Sequence, residues 1–355
     1  MGGRQNRLLR THVLIVGAGP AGLGAALALL EKRVRVVVVD ARKVIGSPVR
    51  CGEATRKDFF DVLGVEERPE WIRQRLGGGG SLIVLDRERY EFDVAQIAAR
   101  RGAVVWPAAS VVGVGPFDGT RRRVTIERDG ERHELEAMCV IAADGVSSTV
   151  ARLAGMDTFL GLDRIASGLV YQVRGATLAR PDAVHVEPLP KPFPAYPYYF
   201  WVIPNGPGAA NVGLYVPGRV GFRARELLDR MLAQTAAIKG GRVVRTVVGL
   251  IPDARPLQTP YADGLLVTGG AARLIHPLSG GGIGPAVLSG KAAARTILAL
   301  GGKPAVKDAL AEYRKRIEPI YSSLDELWRS RGETEEQLRR NQPLRVIYDK
   351  DWTKI

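Results

Sequence analysis

The hydrophobic pattern opens with eighteen uncharged residues, Val13 to Leu30, a length that on its own suits a membrane span or a signal-peptide core. Gly17, Gly19, Pro20 and Gly22 interrupt the run. They divide it into a short strand, His12 to Val16, a tight turn and a helix from Pro20 to Lys32, and the nearly pure valine run from Val34 to Asp40 then predicts a second buried strand. This is a βαβ unit. Val44 to Thr55 reads as a loop containing Gly and Pro, Phe92 to Arg101 as a helix, and Ala103 to Trp106 as a strand. Arg122 to Arg128 and Glu131 to Met138 alternate around Asp129-Gly130, which predicts a hairpin, followed by a strand from Cys139 to Ala143.

From Ser167 to Pro217 the period changes to alternating, aromatic-rich strands, which predicts a mainly antiparallel second sheet able to roof a pocket. Leu265 to Thr268 returns to a buried strand and Gly284 to Leu300 to an apolar helix, so distant sequence completes the first domain. From Lys303 to about Arg340 the pattern is charged and helical, and Gly77 to Gly80 with Ser81 have the composition of a flexible linker.

The turn between the first strand and helix, Gly17-Ala18-Gly19-Pro20-Ala21-Gly22, fits the dinucleotide fingerprint. Its first glycine permits the turn, its second lets main chain approach a pyrophosphate, and its third lets helix and strand pack closely. Asp40, ending the second strand, stands where a carboxylate accepts a ribose hydroxyl, with Ala41 beside it. Three further stretches carry chemistry. Pro48-Val49-Arg50-Cys51-Gly52-Glu53 is a loop with a thiol, and Tyr199-Phe200-Trp201-Val202-Ile203-Pro204 is a strand in which the default role of Trp201 is core packing. Pro277-Leu278-Ser279-Gly280-Gly281-Gly282-Ile283 is a glycine-rich turn opening a helix whose free amides suit an anion.

Composition narrows the classes. The 355 residues are 46% apolar and 25% charged, the balance of a globular protein with room for one large or two interleaved domains. The net charge of +14 favours anionic partners, although 40 of the 51 cations are arginine and compositional bias accounts for the excess equally well. The cations are scattered and no nucleic-acid module is present, which speaks against nucleic acid. Two cysteines, Cys51 and Cys139, exclude a disulfide scaffold or zinc cluster and agree with a reducing cytoplasm, so no metal is expected.

Taken in order, these stretches resemble the geranylgeranyl reductase family of FAD-dependent oxidoreductases, which share the fold of para-hydroxybenzoate hydroxylase. The resemblance spans about residues 11 to 300. Gly17 to Gly22, the Pro48 to Glu53 loop, Arg87 ahead of the Phe92 helix, Ala143-Asp144-Gly145 with Ser147, Tyr199-x-Trp201-x-Ile203-Pro204 and the final glycine turn carry it. It implies an α/β fold: a Rossmann-type FAD-binding domain with a parallel sheet (residues 1–60, 92–160 and 255–300), an inserted, mainly antiparallel β-sheet substrate domain (61–91 and 161–254) and a helical C-terminal tail (301–355).

The resemblance further implies non-covalent FAD, with Asp144 and Gly145 near the pyrophosphate and the amides of Gly281, Gly282 and Ile283 at the flavin pyrimidine edge. Arg50, Cys51, Tyr199 and Trp201 would face the flavin and substrate, and Arg87 the cofactor. Hydride from flavin N5 would reduce an isoprenoid double bond while Cys51, Tyr199 or a bound water supplies the proton. The substrate would be an isoprenoid lipid or prenyl diphosphate, the electron source NADPH or ferredoxin, and contact with an anionic membrane peripheral; the oligomeric state stays open.

There is one departure. Where the family reads Gly-Asp-Ala-Ala after the late strand, this chain has Gly269-Gly270-Ala271-Ala272, without the carboxylate that holds the ribityl chain. Three alternatives stand beside the reductase: an FAD-dependent monooxygenase of the same fold, a halogenase sharing Trp201-Val202-Ile203-Pro204, and a flavin-losing prenyl-lipid-binding member, which Gly270 supports.

Overall fold

The computed structural model describes residues 8–77, 80–193 and 196–339; Gly78 and Gly79 of the linker-like stretch, and the tail beyond Arg339, lie outside the described residues. Valine and isoleucine set the centre of the first domain. Leu9–Val16 and Val36–Val39 pair in parallel, Val13 with Val36 through Val16 with Val39, and all four valines of the second strand are buried. Strands sealed on both faces need no polar alternation, and each buried valine contributes about 1.5–3 kcal/mol. The parallel core of the sheet runs Leu265–Val267, Glu131–Ala142, Leu9–Val16, Val36–Val39, Val104–Trp106.

The stretches expected as separate strands, Glu131 to Met138 and Cys139 to Ala143, are one twelve-residue strand. Its first half pairs antiparallel with Arg122–Arg128 and its second half enters the parallel core. Asp129 and Gly130 both adopt positive φ, 53° and 78°, as a two-residue hairpin turn requires.

The second sheet is wholly antiparallel, in the order His185–Pro188, Tyr199–Pro204, Ala209–Pro217, Ile165–Leu178, Ile238–Pro252. Helix Ala224–Gln234 packs on it through Leu227, Leu228 and Met231, and the Tyr171 hydroxyl donates to Asp229 at 2.7 Å.

One element differs from the expected layout. The helix expected from Phe92 begins at Arg87, because the Asp86 side chain caps it by accepting the Arg89 N–H, so Arg87 is its first residue and not part of a preceding loop. Around it, Phe59, Phe60, Trp71 and Tyr90 pack into the first core, whereas Leu76 and Val84 pack into the second. The tail forms helices Lys307–Arg316 and Glu318–Arg339, and Leu310, Tyr313, Tyr321 and Leu324 belong to the first core.

Helices Pro20–Leu30 and Ile283–Ala299 lie against each other main chain to main chain. A Cβ on Gly290 would stand 2.0 Å from the Ala21 carbonyl oxygen, and one on Gly24 3.2 Å from that of Val287. Gly290→Ala gains about 1 kcal/mol of helix propensity, but backbone cannot rotate away as a side chain does, and overpacking costs about 1–3 kcal/mol or more. The expected result is a net loss of stability, measured as a lower denaturant midpoint; a midpoint at or above that of the parent would contradict the close approach.

Candidate active site

Three parallel strands end level with one another, since Val16 and Val267 both pair with Ala142. The residues that follow them, Gly17, Ala143 to Gly145 and Thr268 to Gly270, therefore emerge together at the carboxyl edge of the sheet, where open α/β sheets bind ligands. Gly17 has φ +103°, and a Cβ there would meet the Ala143 carbonyl at 2.3 Å; one on Gly22 would meet the Gly17 carbonyl at 1.8 Å. No such neighbour lies within 4 Å of a Cβ on Gly19 or on Gly145.

Packing thus demands the first and third glycines of the fingerprint, and the second faces open space. Helix Pro20–Leu30 starts at Gly19 with Pro20 in first position and neither a capping side chain nor an acid in its first turn, leaving its amides for an anion. Gly269, at φ +56°, packs on Ala21 and Ala286, with 3.1 Å from its would-be Cβ to each methyl. Asp144 accepts the Val150 N–H at 2.9 Å through Oδ2, while Oδ1 is buried with no partner among the described residues. Burial pushes the Asp144 carboxyl above its usual range, against the backbone N–H groups that favour the charge. A bare helix N-terminus, a glycine cradle and an unsatisfied buried acceptor are the features a dinucleotide pyrophosphate and sugar occupy, so FAD fits.

Asp40 differs from a free ribose acceptor. It is 5% exposed and accepts the Ala18 N–H at 2.7 Å, the Arg42 N–H at 2.9 Å, and the Arg42 guanidinium through both oxygens at 2.9 Å. Burial opposes its charge, but Arg42 and the amides outweigh burial and hold its carboxyl below the usual range. The Asp40 carboxylate is therefore already oriented by arginine, and a ribose hydroxyl there would have to share it. Ala41 is exposed beside it. Arg42 continues to Glu91 at 3.0 Å, and Glu91, fully buried, also takes the Arg87 guanidinium. Arg87 therefore closes a chain, Asp40–Arg42–Glu91–Arg87, whose two acids are buried and whose two arginines are part-exposed; burial opposes the Arg87 charge and Glu91 outweighs it.

The thiol loop meets the second sheet. Arg50 is exposed, with its carbonyl oxygen 3.1 Å from a would-be Cβ of Gly249. Cys51 is half-buried, and its Sγ accepts the Glu53 N–H at 3.2 Å. A Cβ on Gly52 would lie 3.0 Å from Ile203 Cδ1 and 3.5 Å from Trp201 Nε1, so the loop rests on the strand singled out in the sequence. Trp201 is 8% exposed, and its Nε1 has no hydrogen-bond partner among the described residues. Its ring covers Gly213, whose Cβ would sit 2.4 Å from it. The Tyr199 hydroxyl donates to the Ser279 carbonyl at 2.7 Å, tying this strand to the late glycine turn. That turn leads through exposed Gly281 to Gly282, which caps helix Ile283–Ala299; the first turn there carries no acid.

Sequence reasoning passed over Arg42, Glu91, Asn211 and Arg331. Arg331, on the last helix, clamps Asp253 with two nitrogens and donates to the Pro277 carbonyl at 3.2 Å, while Tyr198 donates to Asp253 at 2.7 Å, so the late turn is held from behind. Asn211 left one signal: it is the single amide in the apolar run Ala209–Pro217.

A Cβ on Gly270 would stand 3.6 Å from Gly145 Cα, ordinary contact, and Gly270 lacks the left-handed φ that bars side chains. Gly270→Asp is therefore accommodated and restores a charge-assisted hydrogen bond of about 1.5–3 kcal/mol. FAD should bind at least about tenfold more tightly, read by flavin retention on desalting and by titration; unchanged affinity would count against this placement of the ribityl chain.

Comparison with known proteins agrees with this geometry. The family model described as lycopene cyclase protein matches residues 12–340. A digeranylgeranylglycerophospholipid reductase of Methanoculleus marisnigri is 33% identical over 306 residues, 80% of this chain and 75% of that protein. A crystal structure of a geranylgeranyl bacteriochlorophyll reductase-like protein from Thermoplasma acidophilum superposes with a TM-score of 0.83 at 28% identity, covering 90% of this chain and 88% of that one. A flavin-dependent brominase, 15% identical with a TM-score of 0.68 over 94% and 92% of the chains, shares the fold alone. The chain belongs to the family described as lycopene cyclase protein and to the geranylgeranyl reductases, which are FAD-dependent oxidoreductases.

Proposed function

We propose that the protein reduces carbon–carbon double bonds of an isoprenoid lipid or prenyl diphosphate, using Cys51 as proton donor. One observation carries the reading: the Cys51 loop, the Tyr199–Pro204 strand and the late glycine turn form one wall, joined by the Gly52–Trp201 contact and the Tyr199–Ser279 hydrogen bond. The reductase named for digeranylgeranylglycerophospholipid, 33% identical, supports the substrate class.

The chemistry that bound, reduced FAD supplies is hydride donation to one alkene carbon. The glycine cradle and the bare helix N-terminus at Gly19 would hold the pyrophosphate, and the amides opening helix Ile283–Ala299 would favour negative charge on the flavin. An isolated alkene is poorly polarised, so orientation and exclusion of water carry much of the work. Trp201, Ile203 and Tyr215 supply a buried apolar surface for this. Cys51 Sγ lies on the same wall, where it would supply the proton to the other alkene carbon. The Tyr199 proton is directed at Ser279, which makes Tyr199 the residue that positions the turn.

The electron source is NADPH or ferredoxin in this reading. Among the described residues no helix is long and apolar enough to cross a membrane. The net charge of +14 supports peripheral contact with an anionic surface on the cytoplasmic side.

Anaerobic incubation of the dithionite-reduced protein with geranylgeranyl lipids should give products heavier by two hydrogens per reduced bond, resolved by mass spectrometry. Turnover that requires oxygen would instead establish the monooxygenase or halogenase chemistry of the same fold. Cys51→Ala should lower the single-turnover rate by about 10²–10⁴-fold, the usual contribution of general acid catalysis; an unchanged rate would remove Cys51 from that role.

A further inference from the structure

Beside Cys51 lies a buried acid with no place in the reading above. Glu53 is 1% exposed and has φ +69°, a left-handed conformation costly for a residue with a side chain. Something must hold it there. Its Oε2 accepts Asn211 Nδ2 at 2.9 Å, its Oε1 lies 3.4 Å from the Arg87 amide, and its carbonyl accepts the Leu85 N–H at 2.9 Å.

Asn211, fully buried on the neighbouring strand, also donates to the Gly52 carbonyl at 3.1 Å and is steadied by Asn205, whose Nδ2 reaches its Oδ1 at 3.1 Å. The Gly52–Glu53 turn is thus clasped at the carbonyl of one residue and the carboxyl of the next by one amide side chain of the second sheet. The consequence falls on the thiol. In this turn the Glu53 N–H points at Cys51 Sγ, 3.2 Å away, in the manner of a side chain closing a turn on its own backbone two residues on.

We propose that Glu53 and Asn211 are positioning residues for Cys51, clasping the strained turn so that the Glu53 amide stabilises the sulfur from which a proton has departed. An N–H directed at sulfur favours the thiolate, and an acid whose conjugate base is stabilised transfers its proton more readily. The proposal rests on the reading of Cys51 as proton donor for its significance, and its test needs neither substrate nor turnover. Cys139 is 1% exposed, so alkylation of the native protein by iodoacetamide reports Cys51, with Cys51→Ser as the blank. Arg87 and Tyr90 lie within electrostatic reach of Cys51, and Arg73 and Arg87 within reach of Glu53; every variant below retains all three.

Two substitutions separate the clasp from the charge. Glu53→Asp keeps the carboxylate but is one methylene too short to reach Asn211, and Glu53→Gln keeps the reach and an acceptor oxygen but removes the charge. The expected outcome is that Glu53→Asp raises the pH midpoint of Cys51 alkylation by about 0.5–1 unit, so that labelling below the midpoint slows by about three- to tenfold, while Glu53→Gln does not raise it. Asn211→Ala, which alters no charge, should reproduce the upward shift, and adding it to Glu53→Asp should give no further shift, since both break one clasp. Unchanged midpoints in Glu53→Asp and Asn211→Ala would overturn the proposal, as would a rise in Glu53→Gln equal to that in Glu53→Asp. Far-UV and near-UV circular dichroism establishes that each variant is folded; should Glu53→Asp fail to fold, the Asn211→Ala and Glu53→Gln pair decides by the same criteria. A protein that passes this test yet reduces no isoprenoid keeps the clasp and loses the proposed activity, so the two readings fail separately.

Discussion

The site depends on main chain meeting main chain where three parallel strands end. Gly17 against the Ala143 carbonyl, Gly22 against the Gly17 carbonyl and Gly290 against the Ala21 carbonyl are contacts between backbone atoms, closer than any side chain permits. Backbone has no alternative rotamer, so the geometry is held to the tolerance of covalent structure and close packing. From this follow the level strand ends, the bare amides at Gly19 and the adjacency of Gly269 to the first helix. The early turn and the late strand, separated by some 250 residues of sequence, become one cradle because two glycine-bearing helices touch.

The second constraint is how the substrate side is joined to that cradle. Among the described residues, several of the connections are polar. Tyr199 reaches Ser279, Arg331 reaches Pro277 through the clamp on Asp253, and Asn211 reaches the Cys51 loop. Burying such groups is costly unless they are paired, and the attraction between buried ions is largely offset by their desolvation. What they add is direction. Each polar link has one geometry in which its partners are satisfied, whereas an apolar contact tolerates sliding.

Much of this was legible in the residues, in proportion to how local the cause was. The βαβ unit showed because a valine strand, a glycine turn and an alanine-leucine helix are set by neighbours in sequence. The Tyr199–Pro204 strand and the late glycine turn showed as motifs. The start of the helix at Arg87 was missed because its cap is the single side chain of Asp86, outside the apolar periodicity. The Glu131–Ala142 strand was divided in two because its halves have different burial, one facing a hairpin partner and the other the parallel core.

The sequence by itself determined which segments form the nucleotide-binding unit, where glycine is obligatory and which family the chain resembles, because those depend on local stereochemistry and on motif order. Only the tertiary structure decided that Asp40 is shared with Arg42, that the last helix braces the late turn, and that Asn211 clasps Glu53 beside Cys51. Those are contacts between residues tens to hundreds of positions apart, and a polar side chain bears no mark of its partner until packing removes water and leaves it one choice.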